Sequence, residues 1–168
     1  NTHTIHKIKN KETILTENKT IANEMNNYFS KIGEQLANQI PTFETSEYIN
    51  IQTNTIYLED TSPEEIKKII ENLPNKKSYG IDNLPNLAYK FIKTEISPLI
   101  STLINSSYKT GIFPNILKMS KIIPLYKNGD KTNTENYRPI ALLPSLSKII
   151  EETLKTRIQK FLEKYNLI

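Results

Sequence analysis

Lys127 and Arg138 are the residues of this 168-residue chain whose type and spacing point most directly to chemistry. Each stands at the loop end of a short apolar run, Ile122 to Tyr126 and Tyr137 to Leu143, with a ten-residue polar loop between the runs. Two apolar runs around a polar loop with a Gly predict a β-hairpin. Its tip would then hold a guanidinium fork and an ammonium together, a pair suited to phosphate oxygens. The segment Lys127-Asn128-Gly129-Asp130-Lys131-Thr132 lacks the earlier Gly and the strand-to-helix context of a phosphate-cradling P-loop. Gly129-Asp130 reads instead as turn chemistry.

Other chemistries find little support. Metal-assisted phosphoryl transfer needs clustered carboxylates that hold ions ~3.5–4 Å apart. The three Asp are scattered: Asp60 lies before a helix cap, Asp82 in a loop and Asp130 in the hairpin turn. Glu64-Glu65 and Glu151-Glu152 are adjacent on expected helices and so do not face each other. No metal site and no catalytic residue is expected. There is no Cys, and both histidines, His3 and His6, sit in a polar tail. Tyr89 and Tyr137 are candidates for stacking on a base, whereas Tyr28, Tyr108 and Tyr165 recur at helical spacing and read as core edge.

The elements that must position these groups form an α+β chain, mostly helical, around one small antiparallel hairpin. Residues 1–16 read as an extended lead-in. Ile21, Met25, Tyr28, Ile32, Leu36 and Ile40 predict an amphipathic helix, with Thr20 as cap and Pro41 as stop. Ile56 to Leu58 reads as a brief strand. Ser62-Pro63-Glu64-Glu65 reads as a capping box opening a helix to Leu73. The loop Asn75 to Pro85 carries Lys76, Lys77, Gly80 and Asp82, and Gly80 is expected to supply a backbone angle closed to other residues. A short helix, Asn86 to Lys93, would bury Leu87 and Phe91. Another begins near Ser97-Pro98 and closes at Gly111. The last, Ser145 to Tyr165, would lay its stripe on the sheet.

Composition sets the class. The apolar share of 37% is below the usual ~45–50%, and the chain lacks an initiator Met, so a fragment of a larger body is expected. No apolar run approaches the ~20 residues of a membrane span, and an intracellular setting, nucleus or cytoplasm, is expected. Charge is uneven: residues 1–60 carry 5 Lys against 8 acids, leaving 17 bases against 10 acids in residues 61–168. An ionic surface is therefore expected in the second part.

A set of short strings then coincides. Lys77-Ser78-Tyr79-Gly80-Ile81-Asp82, Gly111-Ile112-Phe113-Pro114, Lys118, Ile123-Pro124-Leu125-Tyr126-Lys127, Gly129-Asp130, Asn136-Tyr137-Arg138-Pro139-Ile140-Ala141-Leu142-Leu143-Pro144 and Ser147-Lys148 follow in order. This series resembles the N-terminal, fingers part of a non-LTR retrotransposon reverse transcriptase of the jockey-like LINE type. The helix with Asn26-Asn27-Tyr28-Phe29 is similar to the connector between endonuclease and polymerase in such elements. The resemblance implies a division at 54/55, with 1–54 a linker bearing one helix and 55–168 the reverse transcriptase fingers and start of the palm. It implies that Lys127 and Arg138 touch the incoming dNTP, and that the Lys76-Lys77 loop, Lys118 and Lys121 lie near the template strand.

The partners implied are an RNA template, a DNA primer, dNTP, the C-terminal palm and thumb and an N-terminal endonuclease. The family's metal-binding aspartates lie C-terminal to the matched motifs. Mg2+ is thus expected in the intact parent and no cofactor in this chain, which would not polymerise alone. The alternatives are a non-enzymatic nucleic-acid-binding module derived from such an element, or an inert pseudogene product.

Overall fold

The helical periodicities and the apolar runs at 122–126 and 137–143 become elements close to where the sequence puts them. The computed structural model describes residues 4–41 and 54–167. Nine elements follow in order: β1 (Ile8–Asn10), β2 (Thr13–Leu15), α1 (Asn18–Ala37), α2 (Pro63–Asn72), α3 (Asn86–Phe91), α4 (Lys93–Thr110), β3 (Lys121–Tyr126), β4 (Tyr137–Leu142) and α5 (Ser145–Lys164). Two 3-10 turns, Asn115–Lys118 and Thr134–Asn136, punctuate them. The chain is α+β with two separate two-stranded sheets, β1–β2 and β3–β4. Among the described residues no helix is long and apolar enough to cross a membrane.

Contacts divide the chain into two compact units that interleave in sequence. The first comprises Asn1–Ile49 with Ile122–Ala141, the second Asn50–Lys121 with Leu142–Ile168.

In the first unit, the residues read as an extended lead-in fold into a tight hairpin. Ile8 pairs with Leu15, Lys9 with Ile14 and Asn10 with Thr13, and Lys11 takes the turn with φ 54°. Ile8, fully buried, meets Ile21 and Met25 of α1 and Tyr137 of β4; Leu15, Phe29 and Tyr126 pack around them. The apolar stripe of α1 docks here. The helix starts before Thr20: Glu17 is at the cap position without a side-chain cap, and Thr20 donates its hydroxyl to the Glu17 carboxylate (2.6 Å). A further backbone bond, from the Lys9 N–H to the Thr132 carbonyl (2.8 Å), ties β1 to the loop between β3 and β4.

The second unit has a helical core. Ile66 and Ile70 of α2, Tyr89 of α3, Ile100 and Ile104 of α4, Leu117, and Ile149 and Ile150 of α5 are buried together. Where the sequence suggested a sheet as the support for α5, its stripe enters this helical core. Ser62 caps α2 by accepting from the Glu65 N–H (3.2 Å). The other half of the expected capping box does not form, because the Glu65 carboxylate is taken by Arg157 of α5 at 2.6 Å.

One expected strand and one expected helix face differ. Residues 56–58 form no strand, and Tyr57 is 83% exposed. In α3 the burial phase is shifted: Leu87 and Phe91 are exposed, whereas Asn86 and Tyr89 are buried. A polar residue goes inside because both its amide nitrogen and its amide oxygen find partners: Asn86 Nδ2 donates to the Pro74 carbonyl (2.8 Å) and its Oδ1 accepts from the Ser145 hydroxyl (2.6 Å). Helix α4 begins at Lys93, ahead of Ser97-Pro98, and ends at Gly111 in the left-handed region (φ 68°) as expected.

Candidate functional site

The tip of the β3–β4 hairpin is built by local hydrogen bonds that its residue types dictate. Gly129 has φ +89°, a conformation that suits Gly. Asp130 Oδ1 accepts from the Thr132 N–H (2.8 Å) and Asn133 Oδ1 from the Glu135 N–H (3.0 Å), both short polar turns. The Asn136 amide donates to the Asp130 carbonyl (2.9 Å). Two phenols brace the loop from below: Tyr126 donates to the Gly129 carbonyl (2.6 Å) and Tyr137 to the Lys131 carbonyl (2.7 Å). The loop backbone is therefore pinned at several points along its length.

The Lys127 N–H donates to the Asn136 carbonyl (2.8 Å). That bond sets Lys127 across from Asn136, Tyr126 across from Tyr137 and Leu125 across from Arg138. The Tyr126 and Tyr137 rings meet edge to face with centroids 5.7 Å apart, in keeping with this register. Strand alternation then sends Lys127 and Arg138 to the other face, as diagonal neighbours of a kind usually spaced ~7–8 Å. Both are exposed. They share that face with Ile123, Leu125 and Ile140, which are 39%, 52% and 42% exposed. The result is an apolar ledge with two cations at its loop end.

Of the expected base-stacking residues, neither Tyr is available: Tyr89 is 6% and Tyr137 8% exposed. Burial raises the pKa of both phenols, with Asp82 adding to the effect at Tyr89 and Tyr126 then Asp130 at Tyr137. Both act as neutral core groups. The sequence signal, an aromatic beside a motif, cannot distinguish a ring facing outward from one one position out of phase.

In the second unit, Lys76 and Lys77 are exposed in their loop. Lys121 lies over the Tyr79 ring at 5.3 Å, so the structure brings it to this loop. Lys118 sits on the 3-10 turn, bonded to Asn115 Oδ1 (3.1 Å). Gly80 does not lie in the left-handed region as expected. Its requirement is space: a Cβ there would stand 2.5 Å from Pro144 N and 2.7 Å from Leu143 C.

Each of the three Asp is already engaged. Asp60 pairs with Lys109 (3.2 Å), Asp82 accepts from the Leu84 N–H (3.3 Å) and Asp130 is occupied by Thr132. Among the described residues no three metal-ligating side chains converge.

Sequence reasoning left Lys7 and Lys9 in the lead-in, and the fold ties their strand to the loop that carries Lys131. Lys7 and Lys9 flank buried Ile8 on β1, and Lys131 lies over the Tyr126 ring at 5.4 Å. The Asp130 carboxyl is held below its ordinary range, first by the Thr132 hydrogen bonds and then by the nearby charges of Lys7 and Lys9. The available signal was the alternation Lys7-Ile8-Lys9, read as part of a lead-in.

No family model matches the chain. Over 150 residues it is 30% identical to the RNA-directed DNA polymerase from mobile element jockey of Drosophila melanogaster, which covers 87% of the chain and 16% of that relative. It is 34% identical over 106 residues to the probable RNA-directed DNA polymerase from transposon BS of the same fly, covering 62% of the chain and 12% of the relative. The jockey polymerase of Drosophila funebris is 32% identical over 96 residues, covering 56% and 10%. The chain spans less than a fifth of the length of each of these relatives.

Proposed function

This chain belongs to the reverse transcriptases of jockey-like non-LTR retrotransposons as the counterpart of a segment of them, and we propose that it supplies incoming-nucleotide and template contacts within an RNA-directed DNA polymerase. Lys127 and Arg138 bind the triphosphate of the dNTP. The guanidinium offers a planar fork to two oxygens and the ammonium a point charge. The observation that carries this reading is their shared exposed face on a hairpin whose loop is fixed by its own hydrogen bonds. A fixed loop lowers the entropy lost when the two side chains close on a ligand.

In the same reading, the second unit contributes to the fingers. Its Lys76, Lys77, Lys118 and Lys121 meet the template backbone, a contact without sequence preference. The chain begins the palm without supplying its metal ligands. Mg2+ in this reaction neutralises the developing phosphoryl charge, and the three Asp of this chain do not fit such a role because each is committed elsewhere. The 168 residues alone therefore bind nucleotide and strand but do not extend a primer.

The test is Arg138→Ala in a full-length polymerase carrying this segment. Loss of a charge-assisted contact worth about 1.5–3 kcal/mol raises the KM for dNTP by about tenfold or more, with an unchanged melting temperature. An unchanged dNTP dependence would remove Arg138 from the triphosphate site. Primer extension by the isolated chain would overturn the inactivity.

A further inference from the structure

We infer that Lys7, just before β1, and Lys9 of β1, together with Lys131 of the β3–β4 loop, form a contact surface for the phosphodiester backbone of a single nucleic-acid strand. Residues read as a connector thereby become part of the binding surface. The inference rests on the reverse-transcriptase reading for its choice of nucleic acid, but it involves neither Lys127 nor Arg138.

The placement follows from β1. Ile8 is 0% exposed at the centre of the first unit's core, so alternation sends Lys7 and Lys9 outward on one face. The Lys9 N–H is bonded to the Thr132 carbonyl (2.8 Å), which lays the strand along the loop that carries Lys131. All three lysines are exposed, and none is in an ion pair among the described residues. Asp130, which lies within the field of Lys7 and Lys9, already accepts from the Thr132 N–H. The first unit holds eight basic and eight acidic side chains. Its net charge is zero, so the patch arises by segregation and not from a general excess.

The spacing suits successive phosphates of one strand. Residues two apart on a β-strand are separated by about 6.7 Å of rise, close to the separation of successive phosphates in an extended strand. No exposed aromatic joins the three lysines, because Tyr126 is half-buried beneath Lys131 and Tyr137 is buried. Binding is thus ionic and indifferent to base identity, and each phosphate contact adds about 0.7 to the slope of log affinity against log salt.

The experiment is fluorescence anisotropy of the 168-residue chain with a labelled single-stranded RNA oligonucleotide at 50 and 200 mM salt. Lys7→Ala/Lys9→Ala removes two phosphate contacts, so its affinity falls about sevenfold less across that range than the wild type's. Lys131→Ala shows about half that effect and reaches the surface from the other segment, which covers the case of a folding defect in β1. Lys19→Ala/Lys31→Ala, an equal charge change on α1, keeps the wild-type slope. A wild-type slope in the Lys7/Lys9 variant, or an equal loss in the α1 variant, would overturn the inference, as would binding to anionic vesicles without binding to RNA. The Arg138 reading fails separately, through an unchanged dNTP dependence in full-length Arg138→Ala.

Discussion

Arg157→Ala should be the most damaging single truncation of a charged residue in the helical unit, and its cost can be worked from geometry. The guanidinium forks onto Glu65, with Nη1 to Oε1 at 2.6 Å and Nη2 to Oε2 at 2.8 Å. Nε donates to the Glu59 carbonyl (2.9 Å), Nη2 to the Asp60 carbonyl (3.3 Å) and Nη1 to the Thr153 carbonyl (3.1 Å). It also lies over the Tyr108 ring at 5.8 Å, whose hydroxyl meets Thr153 Oγ1 (2.7 Å). One side chain thus joins α2, α4, α5 and the segment before α2. The Arg157 side chain is 10% exposed and that of Glu65 31%. Removing one partner of a buried pair costs about 3–5 kcal/mol. Water reaches the Glu65 carboxylate after truncation, which reduces the expected cost to about 2–3 kcal/mol. At about 2–4 °C per kcal/mol for a chain of this size, melting should fall by roughly 4–12 °C. Arg157→Lys keeps the charge but loses the fork, and should retain about half of the loss. Urea unfolding followed by circular dichroism measures both. A loss under about 0.5 kcal/mol for Arg157→Ala would refute the reasoning, since that is the scale of an ordinary surface substitution.

The same pair sets an acid response: the Glu65 carboxyl lies below its ordinary range, chiefly because Arg157 donates to it, so its contribution is present above the unfolded value near ~4.3 and is lost as pH falls through the folded one. Wild type should therefore lose more stability than Glu65→Gln between pH 6 and pH 3, and parallel pH–stability curves would contradict this. Gly80→Ala forces a Cβ to within 2.5 Å of Pro144 N and 3.0 Å of the Leu143 carbonyl oxygen, backbone atoms that cannot swing aside; a loss of about 1–3 kcal/mol is expected in thermal melts. Lys11→Gly relieves a left-handed residue at φ 54° and, after the added freedom of the unfolded chain, should stabilise the first unit by about 0.5–1 kcal/mol, whereas a lower denaturation midpoint would count against the turn geometry.

The elements with strong local signals were legible. The capping Ser62, the terminal Gly111, the β3–β4 hairpin around Gly129 and the long periodic helices all rest on interactions within a few residues, which a sequence encodes directly. The lead-in was misread because three-residue strands carry too few alternations to register, and β1 gains its stability from Ile8 buried against α1 and Tyr137. Burial in α3 was out of phase because Asn86 finds both partners, Pro74 and Ser145, far along the chain. Gly80 was correctly singled out for the wrong reason, since its constraint comes from Leu143 and Pro144 and not from its own φ.

The same division holds for function. The motif strings belong to the sequence, as does the placing of Lys127 and Arg138 at the loop ends of two apolar runs; that the two share a face follows from the register set by the Lys127 N–H to Asn136 bond. Only the tertiary structure decided that Tyr89 and Tyr137 are core, that Glu65 serves Arg157 in place of its own helix cap, and that β1 is tied through Lys9 to the loop carrying Lys131. Each of these depends on which distant segment arrives at a given face, and a hydrogen bond such as that from Lys9 to Thr132, spanning most of the chain, leaves no local mark on the residues that make it.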